Sequence, residues 1–267
     1  MGILNVTPDS FSDGGDLPAS EAVLARAEQL VADGADLLDI GGESTRPGAM
    51  TVEVSEELAR VLPALRLLRP RLSVPLSIDT RKAAVAQVVL AEGADIINDV
   101  SALADPAMPG VVAAGRAGLV LMHMQGTPET MQVDPRYQDV VEEVSRHLTG
   151  AADRAVQAGV EADRIVVDPG IGFGKTLEHN LELIAALSEL GRTGYPVLLG
   201  VSRKGFLGAL TGGRPPRERG AATVAACVMG YLRGARIFRV HDVRETRDAL
   251  NVAEAILTAD RPTAHRC

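Results

Sequence analysis

Hydrophobic positions along the chain follow two alternating patterns. Short runs of apolar and β-branched residues recur over the whole length, and each run is about as long as a β-strand. Between most of these runs, apolar residues return with the helical period of about 3.6, as at Val23, Ala27 and Leu30, which share one helix face. The runs predict eight strands, at residues 2–6, 37–41, 75–79, 96–100, 119–123, 164–168, 196–201 and 236–240.

This alternation predicts an α/β fold class. No linker rich in Ser or Pro and no break in composition interrupts it, so we expect a single domain over residues 1–267. Eight strand–helix units in a chain of this length match a closed (β/α)8 barrel, the TIM barrel, and the nearly continuous apolar strands are typical of strands covered on both faces. An open doubly wound sheet is the alternative. Pro63 lies within a helical pattern and predicts a kink or an early end of that helix.

Polar residues occur where each predicted strand ends. Taken singly, an Asp or Asn at such a position is most often a capping or turn residue. In a barrel, however, the carboxyl ends of all strands meet at one face, so the whole set would lie around one cup. The set comprises Asn5 and Thr7, Asp39, Asp79, Asn98 and Asp99, His123, Asp168, Ser202 with Arg203 and Lys204, and Arg239 with His241.

The acidic and amide members of this set suit a flat, nitrogen-rich ring. Asp79, Asn98 and Asp168 follow buried apolar runs, and a fold bears the cost of desolvating such groups when they are paired or bind a ligand. A carboxylate can accept two hydrogen bonds from an N–C–NH₂ edge, and Lys204 adds a donor for a ring carbonyl or nitrogen. These residues therefore predict a site for a pterin or a guanine-like ring.

The last predicted strand offers a site for an anion. Arg239 and His241 alternate along it and so point to the same side, where they could hold a phosphate or diphosphate. The alternative is an ion pair with a neighbouring carboxylate. Asn5 would lie beside this strand in a closed barrel, and its carbonyl oxygen suits Mg²⁺, which prefers hard oxygen ligands. Arg203 is expected to anchor its loop.

Composition excludes several classes of function. A net charge of −8 and only seven aromatic residues disfavour nucleic-acid binding. No uninterrupted apolar stretch long enough for a membrane span and no signal-peptide pattern occur, so we expect a cytoplasmic protein. Cys227 and Cys267 fit neither a disulfide scaffold nor a zinc cluster. The spacing of Gly170 and Gly174 in "GIGFGKT" does not match a Walker A motif.

Two long loops complete the sequence pattern of the site. Residues 5–15 and 41–50 are rich in Gly, Pro, Ser and Asp and contain few apolar anchors. We expect both loops to be mobile and able to cover the cup.

Eight segments together resemble the dihydropteroate synthase family: "GILNVTPDSFSDGG", "GGESTRPGA", "SIDT", "INDVS", "LMHMQGTPETMQ", "DPGIGFGK", "SRKGFLG" and "RVHDV". The resemblance covers nearly the whole chain, and the first two segments together are very specific. It implies a (β/α)8 barrel, a transferase of folate biosynthesis that is usually homodimeric and a sulfonamide target. The implied reaction condenses 6-hydroxymethyl-7,8-dihydropterin diphosphate with p-aminobenzoate and releases diphosphate in the presence of Mg²⁺.

The resemblance also implies which residues form each part of the site. The pterin pocket falls on Asp79, Asn98, Asp168 and Lys204. The diphosphate site falls on Arg239, His241 and Asn5, with Thr45 and Arg46 from the second loop, and Asp13 joins Asn5 in holding the metal. The aminobenzoate site falls on Phe11, Pro47, Phe173 and Ser202.

The residues and the resemblance agree on a mechanism. Diphosphate leaves once Mg²⁺ and Arg239 neutralise its charge, and the electron-rich dihydropterin can delocalise the resulting cation, which gives an SN1-like path. Three rivals stay open. They are a methyltetrahydrofolate methyltransferase-like barrel, a Schiff-base aldolase using Lys204, and a non-catalytic ligand carrier.

Overall fold

The strands form one curled sheet. The computed structural model describes residues 1–7 and 19–259, and only the backbone of Ala19. Within these ranges lie all eight predicted strands, each ending within two residues of its predicted end. Their bounds are β1 Gly2–Asn5, β2 Leu38–Gly41, β3 Leu76–Asp79, β4 Ile96–Asp99, β5 Gly118–Met122, β6 Ile165–Asp168, β7 Val197–Leu199 and β8 Ala235–Phe238.

The sheet closes on itself. Each strand pairs in parallel with the next, in the order β1 to β8. The two ends of this series meet in a parallel bridge between Gly2 and Val240, where Ile3 N donates to Val240 O over 3.0 Å. The (β/α)8 barrel is therefore confirmed, and the open doubly wound sheet is wrong.

Helices surround the barrel. In the described ranges they are α1 Ala19–Ala32, α2 Val54–Leu68, α3 Ala83–Ala91, α4 Met108–Gly115, α5 Val140–Gln157, α6 Leu177–Ala185, α7 Leu187–Leu190, α8 Gly205–Leu210, α9 Gly220–Leu232 and α10 Val243–Ala259. Short 3₁₀ turns occupy Ala162–Arg164, Gly191–Thr193 and Pro216–Glu218. No helix of the described ranges is long and apolar enough to cross a membrane.

Local sequence signals set the helix ends. Asp139 begins α5 because its carboxylate accepts a hydrogen bond from Glu142 N over 2.9 Å. Thr176 begins α6 in a reciprocal capping box with His179. Pro63 does not end α2, which continues to Leu68, so the predicted early end is wrong.

The barrel interior has an apolar layer with a polar layer above it. Met1, Val120 and Leu198 form a buried apolar cluster, which Leu37, Ile96, Val166 and Ile237 complete. Because side chains alternate along a strand, the interior residue two positions later lies one level higher. At that level the chain places Asp39, Asn98, Asp168 and Arg239, so the polar layer stands on an apolar floor at the carboxyl end of the barrel.

Candidate active site

Gly200, just after β7, marks the point where three predicted site residues meet. A Cβ atom built on Gly200 would lie 3.7 Å from Asp168 Oδ2, 3.8 Å from Lys204 Nζ and 4.0 Å from Arg239 Cβ. The missing side chain leaves these groups facing one space. On the other side of the barrel, a Cβ on Gly41 would lie 3.5 Å from Asn5 Oδ1 and 3.9 Å from Asp79 Oδ2.

Arg239 joins the two sides. Its Nη2 donates to Asp79 Oδ2 over 3.0 Å, and its Nε donates to Asp39 Oδ2 over 2.6 Å. Residues from β1, β3 and β6 and from the segments that follow β7 and β8 thus surround one cup, as the sequence predicts. The ion pair that was the alternative for Arg239 is present, so two of its nitrogens are committed to carboxylates before any ligand arrives.

Asp39 belongs to the predicted set of strand-end residues, but the sequence did not predict its role in the site. It is completely buried, and besides Arg239 it accepts hydrogen bonds from Ser77 Oγ over 2.6 Å and Asn98 Nδ2 over 3.2 Å. A carboxylate only accepts, so the Asn98 amide nitrogen must face it and the Asn98 carbonyl oxygen is left as an acceptor for a ligand. The signal was available, because Asp39 ends an apolar run like the other strand-end carboxylates.

Asp79 is a carboxylate with an unusual ionisation. Burial raises the pKa of Asp79 to about 7, although the Arg239 charge opposes this shift and the Asp39 charge adds to it. Near neutral pH the group can therefore exchange a proton or accept a hydrogen bond from a ring N–H.

Asp168 and Lys204 form an oppositely charged pair in the depth of the cup. Burial raises the pKa of Asp168, and the Lys204 charge opposes the shift. Burial lowers the pKa of Lys204 to about 8, against the attraction of Asp168. Lys204 Nζ donates to Ile171 O and lies 4.5 Å from the centroid of the Phe173 ring, a cation–π contact.

His241 and Ser202 share two hydrogen bonds. Ser202 Oγ accepts from the backbone N–H of His241 over 3.1 Å and lies 2.9 Å from His241 Nδ1. A hydroxyl has one proton to donate and two acceptor positions, so Ser202 Oγ can accept from the backbone N–H and donate to Nδ1; the neutral imidazole then carries its proton on Nε2. Burial lowers the pKa of His241 to about 4, and the Arg203 and Arg239 charges lower it further. His241 is thus a neutral N–H donor at the rim.

Arg203 anchors its loop, as expected. Its guanidinium pairs with Asp242 through two nitrogens, and its backbone N–H donates to Thr223 Oγ1 over 3.1 Å. The residue has φ of +61°, a left-handed conformation that non-glycine residues rarely adopt. The two adjacent cations in "SRKGF" therefore have separate tasks, since Lys204 faces the cup and Arg203 holds the turn.

Ion pairs hold the first residues of the loop at residues 41–50. Buried Glu43 accepts from Arg81 Nη2 over 3.0 Å and from Lys82 Nζ over 2.6 Å, and Lys82 also pairs with buried Glu57. The sequence indicated few apolar anchors in this loop, and its charged anchors were not predicted. Ion pairs fix its first residues, and the exposed part begins after them.

The remaining predicted site residues fall into two groups. Thr45 is half-buried, whereas Arg46 and Pro47 are exposed, and the Arg46 charge is among those that lower the pKa of His241. Phe11 and Asp13 lie outside the described residues.

Lys175 is a residue that the sequence reasoning missed. It is 3% exposed, and its Nζ lies 3.0 Å from His123 Nδ1 and 2.9 Å from Phe173 O. Burial lowers the pKa of Lys175 to about 7 and that of His123 to about 2, so the imidazole is neutral. Its signal in the sequence is a lysine within an apolar, Gly-rich segment.

With this geometry established, comparison with known proteins gives the class. Residues 1–241 match the family described as pterin binding enzyme. Because this match covers most of the chain, the protein belongs to the pterin-binding enzymes.

Individual relatives narrow the class. The chain is 51% identical over 260 residues to a dihydropteroate synthase of Neisseria meningitidis serogroup C, covering 96% of this chain and 92% of the relative. The solved dihydropteroate synthase of Xanthomonas albilineans with 4-aminobenzoic acid has a TM-score of 0.91 at 49% identity, covering 96% of this chain and 92% of that one. A Yersinia pestis dihydropteroate synthase in a sulfonamide complex has a TM-score of 0.91 at 45% identity, covering 97% and 94%. The chain belongs to the dihydropteroate synthase family.

Proposed function

We propose that this protein is a transferase that condenses 6-hydroxymethyl-7,8-dihydropterin diphosphate with p-aminobenzoate, giving 7,8-dihydropteroate and diphosphate for folate biosynthesis. One observation carries the proposal: two buried carboxylates, a carboxamide and a lysine meet in one cup below an Arg and a neutral His. The named relatives support it. The catalytic domain is taken to span residues 1–267, and a cytoplasmic location stays a prediction.

The pterin is held by groups of matched hydrogen-bonding type. Asp168 and Asp79 accept from ring N–H and NH₂ groups, and the Asn98 carbonyl oxygen, oriented by Asp39, accepts a further proton. Lys204 donates to the ring carbonyl or a ring nitrogen. Asp79, Asn98 and Asp168 are buried, and Lys204 is half-buried beside Asp168. Their hydrogen bonds with the ligand therefore form away from most of the competing water.

The diphosphate is held at the rim. His241 offers Nε2–H, and Arg46 and Thr45 lie on the loop beside it. Arg239 contributes its charge and its third nitrogen, Nη1, which has no acceptor among residues 1–7 and 19–259, whereas its other two nitrogens bind Asp39 and Asp79. Arg239 thus combines the two roles that the sequence left as alternatives, the ion pair with carboxylates and the anion site.

The oxygen donors of the site suit a Mg²⁺ ion that takes some of its ligands from the protein and the rest from the substrate diphosphate. Among the described residues there is no group of three His, Cys, Asp or Glu side chains that could hold a metal. Asn5 Oδ1 faces the cup beside Asp79, and Mg²⁺ commonly takes one or two protein oxygens together with substrate phosphates. Asn5, with Asp13 from the resemblance, would hold the ion. When bound it neutralises charge on the leaving diphosphate.

The chain's own residues account for the bond changes. The bond between the methylene carbon and the diphosphate oxygen breaks with its electron pair leaving on diphosphate, which Arg239 and His241 stabilise. The dihydropterin delocalises the positive charge that remains on the carbon. The aniline nitrogen of aminobenzoate then forms the C–N bond and loses its proton to solvent. No strong base is required, so positioning of the two substrates dominates catalysis.

Aminobenzoate meets the cup at its outer edge. Phe11, Pro47 and Phe173 are proposed to enclose its ring. The Ser202 hydroxyl is committed to His241, so we assign Ser202 to orienting that histidine more than to direct contact with the carboxylate. Since the Yersinia pestis relative binds a sulfonamide drug, we propose that sulfonamides compete with aminobenzoate here.

A diphosphate-release assay tests the function. With the pterin diphosphate and Mg²⁺, we expect diphosphate release that depends on p-aminobenzoate and is matched by dihydropteroate detected by mass spectrometry. Release without aminobenzoate would indicate a hydrolase, and no release would refute the proposal. Borohydride trapping of Lys204 would favour the aldolase, and methyl transfer to a corrinoid would favour the methyltransferase.

The Lys204 charge predicts an alkaline limit of activity. Its pKa, lowered to about 8 by burial, means that the ammonium form is lost as pH rises through that value, with Asp168, Arg239 and Asp79 as the facing charges. We expect kcat/KM for the pterin diphosphate to fall above pH 8 in the wild type. Lys204→Met should show low activity without this limb, whereas Lys175→Met should keep the limb. A limb that persists in Lys204→Met would assign it to another group.

The α9 and α10 helices carry an exposed apolar patch that suits a second copy of this chain. Its members are Met229, Leu232, Val252, Ile256 and Leu257, with Val252 60% and Ile256 64% exposed. Monomeric proteins rarely leave such contiguous patches uncovered, so we propose homodimerisation through this face. Light scattering should show a dimer for the wild type and a monomer for Ile256→Glu. Leu210→Glu on α8, also exposed, is the control that should stay dimeric.

A further inference from the structure

Four successive backbone carbonyls after β6, at residues 171–174, each accept a hydrogen bond from a side chain. We name residues 171–174 the Gly-rich segment. The donors come from three parts of the chain: Lys204 Nζ to Ile171 O, Gln132 Nε2 to Gly172 O over 2.8 Å, Lys175 Nζ to Phe173 O over 2.9 Å and Tyr137 Oη to Gly174 O over 2.8 Å. Loop carbonyls often accept hydrogen bonds from water. Four consecutive carbonyls bound by side chains therefore indicate that the protein fixes the conformation of this segment.

The backbone of this segment has little support of its own beyond one turn hydrogen bond, from Phe173 N to Gly170 O over 3.0 Å. Gly172 and Gly174 have φ of +82° and +63°, and the segment belongs to no helix or strand. A Cβ on Gly174 would lie 2.6 Å from Gln125 O, so the segment lies directly on the loop that follows β5. Asn180 adds one acceptor, since its Oδ1 receives Gly172 N–H over 2.6 Å.

Lys175 binds the segment through Phe173 O and the end of β5 through His123, and its charge also acts on Asp168. Its Nζ lies between Phe173 O and His123 Nδ1, and the neutral His123 imidazole can accept there. Nearly all of the side chain is buried, a costly place for an amine unless its hydrogen bonds are needed.

The segment carries Phe173, the ring of which lies against Lys204 Nζ. Lys204 itself donates to Ile171 O. The pterin-facing amine and the aromatic ring are therefore held in register by one short stretch of backbone.

We propose that Gln132, Tyr137 and Lys175 are positioning residues, which fix the Gly-rich segment so that Phe173 presents its ring to aminobenzoate before that substrate binds. This inference rests on the proposed function for its substrate. A ring that is already held in place does not have to be ordered when aminobenzoate binds. If the segment loosens, we expect binding of aminobenzoate to weaken, and its KM to rise.

Steady-state kinetics test the inference. Tyr137→Phe and Lys175→Met each remove one carbonyl donor, and we expect each to raise KM for aminobenzoate about tenfold, the effect of one lost hydrogen bond in a built site. In Tyr137→Phe, KM for the pterin diphosphate should change less than about threefold, a value within the variation of neutral substitutions. Lys175→Met also removes a charge that acts on Asp168, so the comparison of the two KM values is made on Tyr137→Phe. Tyr195→Phe, at the opposite end of the barrel before β7, is the matched control and should behave as wild type. Equal rises in both KM values would overturn the inference.

A second readout does not depend on turnover. Amide hydrogen exchange of a peptide spanning residues 169–176 should be faster in Tyr137→Phe and Lys175→Met than in the wild type and in Tyr195→Phe. Unchanged exchange would overturn the inference. Failure of the wild type to make dihydropteroate would instead refute the proposed function, and the exchange experiment would still decide whether the segment is held.

Discussion

Asp168→Asn should lower kcat/KM for the pterin diphosphate by about 10²–10³, because a buried charged hydrogen bond is lost and Lys204 is left without its counter-charge. The carboxylate is 4% exposed and lies with Lys204 Nζ around Gly200. The isosteric amide keeps the volume but replaces one acceptor oxygen with an NH₂ donor. That NH₂ group cannot accept a hydrogen bond from an N–H group of the ligand and repels it. Most of the loss should appear in binding of the pterin.

The measurement is isothermal titration with a pterin ligand together with steady-state kinetics. Asp163→Asn, an exposed residue in the 3₁₀ turn that precedes β6, is the control and should bind normally. Circular dichroism should confirm that Asp168→Asn is folded. Binding within threefold of the wild type would remove Asp168 from the pterin pocket and with it the main argument for this ligand.

Arg239→Met should lower the free energy of unfolding by about 3–5 kcal/mol, the usual cost of removing one partner from a buried ionic group. Two carboxylates, of Asp39 and Asp79, lose their shared cation, and Asp39 is completely buried. For a chain of this size the midpoint of thermal unfolding should fall by roughly 10 °C. Arg236→Met on the same strand, where the arginine is exposed, should cost far less.

The pH dependence of this variant has a definite sign. Burial already raises the pKa of Asp79 to about 7 in the wild type, and the Arg239 charge opposes that shift, so loss of the cation raises this pKa further. Above pH 7 the folded variant therefore holds a proton that the folded wild type has released, and the deficit in stability should grow as pH rises beyond that value. Asp39→Asn in the Arg239→Met background should restore part of the stability, which a double-mutant cycle measures. A deficit equal to that of Arg236→Met would contradict the network.

The strands and the barrel could be predicted because they depend on local patterns. Eight apolar runs that end in polar residues are enough to predict the strands. Because a helical crossover joins each strand to the next, few other topologies are possible. The carboxyl-end position of Asp79, Asn98 and Asp168 follows from the same rule.

Which side chains bind each other across the barrel could not be predicted. Arg239 and Asp39 are 200 residues apart, and no periodicity links them. The same holds for the Ser202–His241 pair and for Lys175 with His123, which depend on how two loops pack. Sequence reasoning therefore found most of the residues around the cup and missed which of them bind and orient one another.

The pairing of His241 with Ser202 has a consequence for the enzyme under acid stress. An unperturbed histidine gains a proton between pH 5 and 8 and so acts as a sensor of acidity. Here the pKa of His241 is lowered to about 4 by burial. The diphosphate contact proposed for this imidazole would therefore not respond to acidification over the range in which most histidine-based sensors respond.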